Sequence, residues 1–395
     1  MTKSIREVVI TSACRTPIGS FGGSLSSLSS PKLGSIAVKE AVTRSGLQPN
    51  QIDEVIMGCV LTAGIGQAPA RQAALFAGLP EAVQTMTVNK VCGSGMKAVM
   101  LAAQAVALGD ADIIVAGGME SMSNTPYLLD KARTGYRMGH AQIIDSMIKD
   151  GLWDVYNDYH MGNAAELCAK ECDVPRNTQD EFSRLSYQRA LDAQKNNLFK
   201  NEIIPVSIPQ KSGDPVVVSV DEEPGKVKFD KIGTLKPAFQ KDGTVTAANA
   251  SKINDGAAAL VVMSKEKADA MGIKPLANIV TYASSAKKPE WFTTAPADVI
   301  TKLLSKANLK KEDIDLFEIN EAFAVVNLAV NKLLGLDLNK VNVNGGAVAL
   351  GHPIGASGAR ILVTLLHAMK QREVKRGMAA ICIGGGEASG IILER

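Results

Sequence analysis

Neither sign of charge is in excess: 43 basic and 40 acidic residues leave a net charge of +3 over 395 residues. The charges are interspersed, and no block of like sign suggests a tail. Such a balance makes no long-range field for nucleic acid or an anionic membrane, so an anionic ligand would have to meet a local patch. Long apolar runs are also missing, and none reads as long enough to span a bilayer. The chain enters a strand pattern at Val8-Val9-Ile10 without the basic and extended apolar regions of a signal peptide, so a soluble, cytoplasmic protein is expected. Six cysteines at irregular spacing argue against a disulfide framework and fit reduced thiols. Only Cys168 and Cys172 lie close together, one helical turn apart. With nearby His160 they make three ligands, short of the four that a structural metal site takes, so no metal is expected. The pair reads as a helix face partly turned to the core. Aromatics stand at 4% and histidines at four, whereas Gly reaches 35 and apolar residues 46%. That apolar fraction can fill a sizeable core over two or three domains. The glycines point to tight turns and close backbone approaches.

The chain resembles itself. In its first half Val88-Asn89-Lys90-Val91-Cys92-Gly93-Ser94-Gly95 leads into an apolar helix pattern over 96–108, then a strand and glycine turn over 112–121. In its second half Val341-Asn342-Val343-Asn344 leads through a glycine-rich loop to Gly355-Ala356-Ser357-Gly358, a helix pattern over 359–370, and a strand ending at Cys382-Ile383-Gly384-Gly385-Gly386. Glu54-Val55-Ile56-Met57-Gly58 parallels Asp315-Leu316-Phe317-Glu318-Ile319, and the first helix carries Ser30 as N-cap, Pro31 in its first turn and Gly46 past its end. Alternating strands and helices at this spacing predict a duplicated α/β fold, two similar halves about a pseudo-twofold axis. Residues 122–249 break the repeat and read as an inserted loop domain with a helix over 178–196 and a strand over 216–220. The first half then comprises 1–121 plus 250–271, and the second 272–395. Loops laid over a rigid frame commonly carry binding surfaces.

Four segments could do chemistry. Cys92 precedes a helix start flanked by Gly93 and Gly95, where N–H groups and the helix dipole would help the thiol ionise; a small core residue is the equal alternative. His352 sits between Gly351 and Pro353 in a loop too rich in glycine to be explained by packing, and its neutral ring could take a proton from Cys92. The glycine spacing does not fit a dinucleotide-binding loop. Cys382 ends a strand before three glycines whose N–H groups could hold an oxyanion. The repeat should bring it near Cys92 as a second acid/base group. Asn320, ahead of Glu321, is either an orienting group or an ordinary N-cap.

Together, Val91-Cys92-Gly93-Ser94-Gly95, Asn320-Glu321-Ala322-Phe323, Gly351-His352-Pro353-Ile354-Gly355 and Cys382-Ile383-Gly384-Gly385-Gly386 resemble the four active-site blocks of the thiolases, in order and spacing over essentially the whole chain. The resemblance implies layered α-β-α-β-α architecture and acetyl-CoA C-acetyltransferase activity. That reaction is the reversible condensation of two acetyl-CoA to acetoacetyl-CoA and free CoA through an acetyl-cysteine. It implies Cys92 as nucleophile, His352 as its base, Cys382 as the group that moves the α-proton, Asn320 holding a water, and the N–H groups of Cys92 and Gly384 as oxyanion donors. His160, Met161 and Ser251 would touch the thioester and pantetheine, with Leu152, Phe239, Ala247, Phe292 and Phe323 as apolar walls. Lys226, Lys228 and Lys231 could meet the phosphates of CoA or simply form a solvated face. A homotetramer, a dimer of dimers, is implied, and neither a metal nor a redox cofactor.

Within the family, Met119-Glu120-Ser121-Met122-Ser123-Asn124 and Phe292 look like the mitochondrial short-chain type. That type has Pro where Thr293 stands and binds potassium through a Tyr where Pro224 stands, so the likeness extends to neither branched substrates nor potassium activation. Ketoacyl synthases and hydroxymethylglutaryl-CoA synthases share the nucleophilic cysteine but are not expected to pair it with a cysteine before a triple glycine. An inactive acyl-CoA-binding scaffold would not be expected to keep all four blocks.

Overall fold

The computed structural model describes residues 5–395. Val8–Arg15 (β1) is buried along its whole length, so it shows no polar–apolar alternation. Ser30–Ser45 (α1), Glu54–Gly58 (β2), Pro69–Phe76 (α2), Gln84–Val88 (β3), Ser94–Leu108 (α3) and Ile113–Ser121 (β4) complete a first alternating run. Met161–Glu171 (α4) and Arg176–Lys195 (α5) follow, then Asn254–Ser264 (β5) and Ala277–Ala286 (β6). The second run holds Ala295–Ala307 (α6), Leu316–Ile319 (β7), Ala324–Leu334 (α7), Ile354–Gln371 (α8), Arg376–Ile383 (β8) and Glu387–Glu394 (β9).

These nine strands, with Gly19–Ser20 paired to β5, form one mixed sheet in the order β7-β8-β9-β6-β1-β5-β4-β2-β3. The duplication is visible in the pairing. β2 runs parallel to β4 while β5 is antiparallel to both β4 and β1; β7 runs parallel to β8 while β9 is antiparallel to both β8 and β6. A parallel bridge from Phe317 to Val341 stands where β3 stands in the first half. Even the strand starts match: Asp53 accepts the N–H groups of Asp112 and Ile113, and Asp315 those of Lys375 and Arg376. The halves join at β1 and β6 through two residue pairs, Val9 with Asn278 and Ile10 with Ala277. These pairs make the two half-sheets continuous.

Helices α1 and α2 cover the outer face of the first half-sheet, and α6 and α7 that of the second. Between the half-sheets α3 and α8 pack on each other in one extensive apolar cluster, giving the α-β-α-β-α layering. Their contact depends on two glycines. A Cβ on Gly95 would lie 2.9 Å from Ala359 N, and one on Gly358 2.5 Å from Met96 N. The central position also corrects one expectation. The 18-residue window Val91–Leu108 is long and apolar enough to cross a membrane. It is apolar because it lies in the middle layer with a sheet or helix on most sides, the setting in which a helix turns hydrophobic all round.

Two other details differ from the sequence pattern. Gly117-Gly118 is no turn: β4 continues through it to Ser121, and the glycines admit the neighbouring backbone, since a Cβ on Gly118 would lie 2.1 Å from Gly355 O. Ser30 is the first residue of α1 rather than its cap, and its hydroxyl accepts the N–H of Ser121. Between β4 and β5, α4 and α5 rest on α7 of the second half, and among the described residues no strand of this stretch joins the main sheet.

Candidate active site

The two central helices begin side by side, and the chain entering each carries a reactive side chain. On the α3 side, Lys90 N–H donates to Ser94 Oγ at 2.8 Å, and that hydroxyl donates to Val91 O at 2.6 Å. This tight turn holds Val91 at φ +44°, a left-handed conformation that costs an L-residue roughly 1–2 kcal/mol. Gly93 lets the β8 end approach, because a Cβ there would lie 2.3 Å from Ile383 Cδ1. The Cys92 sulfur therefore faces both its own N–H and that of Gly384. Burial nevertheless pushes this thiol up to about 11, with Glu120 adding to the rise, against the pull of the two N–H groups. Ready ionisation was expected at this helix start; desolvation outweighs the donors, so the resting group is a thiol.

On the α8 side the His352 N–H donates to Asn254 Oδ1 at 3.0 Å, and Gly351 sits at φ +106° because any Cβ would strike that same amide. The His352 Nδ1 lies 2.6 Å from Ser357 Oγ, and the Ser357 hydroxyl donates to Pro353 O at 2.9 Å. With its one proton so directed, Ser357 accepts from Nδ1–H, and the free lone pair of the ring is on Nε2. That Nε2 has no partner and is buried. Burial first, and Arg360 second, hold the imidazole down to about 3, so it stays neutral. The arrangement is a bare base beside a protonated thiol.

Cys382 lies at the end of β8, fully buried among Met161, Phe292, Ala322 and Phe323. Burial raises its thiol, the neighbouring Cys92 raises it further, and the Ala322 N–H works against both. After it, Gly385 and Gly386 adopt φ +89° and +85°, turning the chain into β9 and leaving Gly384 at the cavity. Asn320 is no helix cap, since α7 begins at Ala324 behind Phe323. Its side-chain Oδ1 and Nδ2 are buried without a protein partner, the state of groups that bond to a water or small polar ligand. Glu321 accepts from Ser186 Oγ, Asn342 Nδ2 and the Val348 N–H, and so fixes the loop that delivers His352.

A cavity of about 270 Å³ opens at Cys92 and His352, while Cys382 and Asn320 are fully buried behind its lining. Cys92, His352 and Gly384 line it, as do Leu152, His160, Met161, Ser251, Phe292, Phe239 and Phe323. The aromatic wall is a chain of contacts: His160 stacks on Phe239 with centroids 4.8 Å apart, and Phe239 and Phe292 each meet Phe323 edge-on at 6.2 and 6.3 Å. His160 also caps α4, its Nδ1 accepting the Gly162 N–H at 3.0 Å. Ser251 is held by its N–H to Ala322 O at 3.0 Å, which ties the segment before β5 to the Asn320 segment.

Ala247 is the exception among the expected wall residues. The turn from Thr246 to Asn249, closed by Asn249 N–H to Thr246 O at 3.2 Å, leaves Ala247 exposed, and Ala250 lines the cavity instead. Three positions carry more than their sequence suggested. Glu120 takes the N–H groups of Val60, Leu61 and Gly355, tying β2 to the start of α8. Ser357 orients His352. Lys252, at the cavity wall, donates to Tyr187 Oη, Ala250 O and Val348 O, and its own carbonyl accepts the His352 N–H at 3.3 Å. The serine at the same point of both repeats was the one available signal for Ser357; the partners of Glu120, and Tyr187 and Val348 beside Lys252, are too distant in sequence to leave any.

Known proteins match this arrangement over its whole length. The family model of the thiolase N-terminal domain matches residues 8–266, and that of the thiolase C-terminal domain residues 273–395. An acetyl-CoA acetyltransferase from Cupriavidus necator is 56% identical over 390 residues, 98% of this chain and 99% of that one. The crystal structure of the Bacillus anthracis acetyl-CoA acetyltransferase agrees with a TM-score of 0.97 at 44% identity, covering 100% of both chains. A thiolase from Ascaris suum in complex with coenzyme A gives 0.94 at 46% identity over 99% of this chain and 100% of that one. Two consecutive domain models and full-length relatives at this identity leave one assignment: the chain belongs to the thiolase family.

Proposed function

We propose that this protein is an acyltransferase with acetyl-CoA C-acetyltransferase activity, joining two acetyl-CoA into acetoacetyl-CoA and free CoA, and running the reverse thiolysis. The observation that carries the reading is the pairing, on one apolar cavity, of a protonated Cys92 with a neutral His352 whose Nε2 has no other partner. His352 takes the thiol proton as the sulfur attacks the acetyl carbonyl, and returns it to the departing CoA sulfur. The N–H groups of Cys92 and Gly384, which face the Cys92 sulfur, stabilise the oxyanion that forms on the carbon bonded to it. Cys382 then moves the α-proton of the second acetyl-CoA, and the carbanion attacks the acetyl group on Cys92. Asn320 holds a water that donates to the enolate oxygen, and His352 adds to this when its Nε2 carries a proton.

The pantetheine arm runs past Ser251, His160 and Met161. Proton transfers and charge stabilisation all fall to side chains and backbone N–H groups, so the reaction calls for neither a metal nor a redox cofactor. Thr293 and Pro224 support an unbranched substrate and no potassium requirement. A reducing, cytoplasmic setting suits a site built from two free thiols. A dimer of dimers is supported by the large side chains exposed along the stretch from Tyr127 to Tyr156, among them Met138, Ile143 and Val155. The purified protein is expected to cleave acetoacetyl-CoA only when free CoA is added, and Cys92→Ala to abolish this. Undiminished turnover in that variant refutes the mechanism.

A further inference from the structure

Cys168 and Cys172 lie outside the cavity chemistry, yet their sulfurs are 3.8 Å apart. Cys168 is buried in the apolar cluster that also holds Phe292 and Cys382, whereas Cys172 is half-buried at the end of α4. The surroundings of Cys172 carry both signs of charge, with Glu171 opposing two lysines. Lys332 Nζ donates to its carbonyl at 2.9 Å, and the charges of Lys332 and Lys287 act on its sulfur.

We propose that Cys172 and Cys168 form a second thiol-reactive site, in which Cys172 is modified by a low-molecular-weight disulfide and Cys168 resolves the adduct. The Cys172 thiolate attacks one sulfur of the disulfide, forming a mixed disulfide and expelling one thiolate. Cys168, giving up its proton, attacks the Cys172 sulfur, forms the intrachain disulfide and releases the second thiol. Two protein thiols are oxidised as one disulfide is reduced to two thiols. The Cys168 S–H and the two lysines favour the thiolate at Cys172 against burial and Glu171, while the hydrogen bond to Cys172 and then burial hold Cys168 protonated, so the attacking and resolving roles are distinct. Helical neighbours four apart have Cβ atoms about 5–6 Å apart, beyond the ~3.5–4.5 Å of a disulfide. The last turn must therefore tighten. Cys172 has already left helical geometry at φ −92°, ψ 2°, and the chain turns away at Asp173 with φ +49°, so that end of α4 can move.

The site does not depend on the activity of Cys92. The full-length protein and its Cys168→Ser and Cys172→Ser variants would be treated with oxidised glutathione, alkylated and mapped by peptide mass. The wild type is expected to give a 168–172 disulfide without retained glutathione, reversed by dithiothreitol. Cys168→Ser should stop at glutathione on Cys172, and Cys172→Ser should show neither product while keeping its thiolysis rate. A wild-type Cys172 left free while other thiols react overturns the proposal, as does a glutathione adduct on Cys172 that persists with Cys168 intact.

Discussion

The two halves share a strand order and a central helix, yet they equip the same positions for opposite tasks. Ser94 and Ser357 occupy equivalent places beside the glycines where α3 and α8 touch. Ser94 closes the backbone turn that presents Cys92, accepting from Lys90 N–H and donating to Val91 O. Ser357 donates likewise to a carbonyl four residues back, but its accepting side receives the ring of His352. One serine thus builds a strained, short turn around a nucleophile, and the other sets the tautomer of a base at the end of a long glycine loop. Duplication supplies two helix starts facing each other; divergence of the preceding loop decides which carries the thiol and which the imidazole.

The largest test of this division concerns the third reactive group, which only the second half carries. Cys382→Ser is expected to lower condensation by ~10²–10⁴, the range for loss of a positioned acid/base group. Labelling of Cys92 by radioactive acetyl-CoA should survive within a few-fold. Equal loss of both steps would mean that Cys382 is not confined to the proton transfer.

The serines come next. Ser357→Ala leaves Nδ1–H without its acceptor, a cost of about 1–3 kcal/mol, so Cys92 acetylation should slow on the order of ten- to a hundredfold at about 1.4 kcal/mol per decade. Ser94→Ala strips partners from backbone groups around the strained Val91 and should appear chiefly as a lowered Tm. If both variants lose rate and stability alike, the serines are not specialised. A smaller effect is expected at Lys252. Lys252→Met leaves the Tyr187 hydroxyl and the carbonyls of Ala250 and Val348 without their donor, which should raise KM for CoA by a few-fold through Ser251 and lower the Tm. An unchanged KM would confine the lysine to stability.

How much of this could be read in the sequence depends on how far apart the partners are. Cys92, His352 and Cys382 were legible because each breaks a local rule, a reactive group among glycines or at an apolar strand's end, and the repeat brings them together. Glu120 was not: its three N–H partners come from Val60, Leu61 and Gly355, and only the fold makes a carboxylate at the end of β4 meet the start of α8. Gly117-Gly118 looked like a turn by analogy with Gly384-Gly385-Gly386. It serves instead to let Ala258 and Gly355 approach β4, a requirement with no trace in the flanking residues. Ala247 was carried into the wall by resemblance, whereas the local turn points it outward.

The smallest expected effect is also the least intuitive. Burial acts on Glu120 and His352 alike and moves them in opposite senses, because it disfavours whichever form is charged. His352 falls to about 3 and Glu120 rises to about 7. Near neutrality the group that changes charge beside the nucleophile is therefore a carboxyl, not the imidazole. Ionised Glu120 opposes a charge on the Cys92 sulfur, so Cys92 acetylation should slow a few-fold as pH rises through about 7. Glu120→Gln should flatten that limb, and no limb should appear near the ordinary histidine value. Stability gives an independent sign. A carboxyl raised in the folded state contributes fully below its unfolded value of 4.5, and that contribution is lost as pH rises through about 7, on the order of 3 kcal/mol. Urea unfolding of wild type and Glu120→Gln across that interval should diverge in this direction. A limb that persists in Glu120→Gln would return the neutral-pH titration to His352, and with it the claim that the second half's base is held neutral by burial.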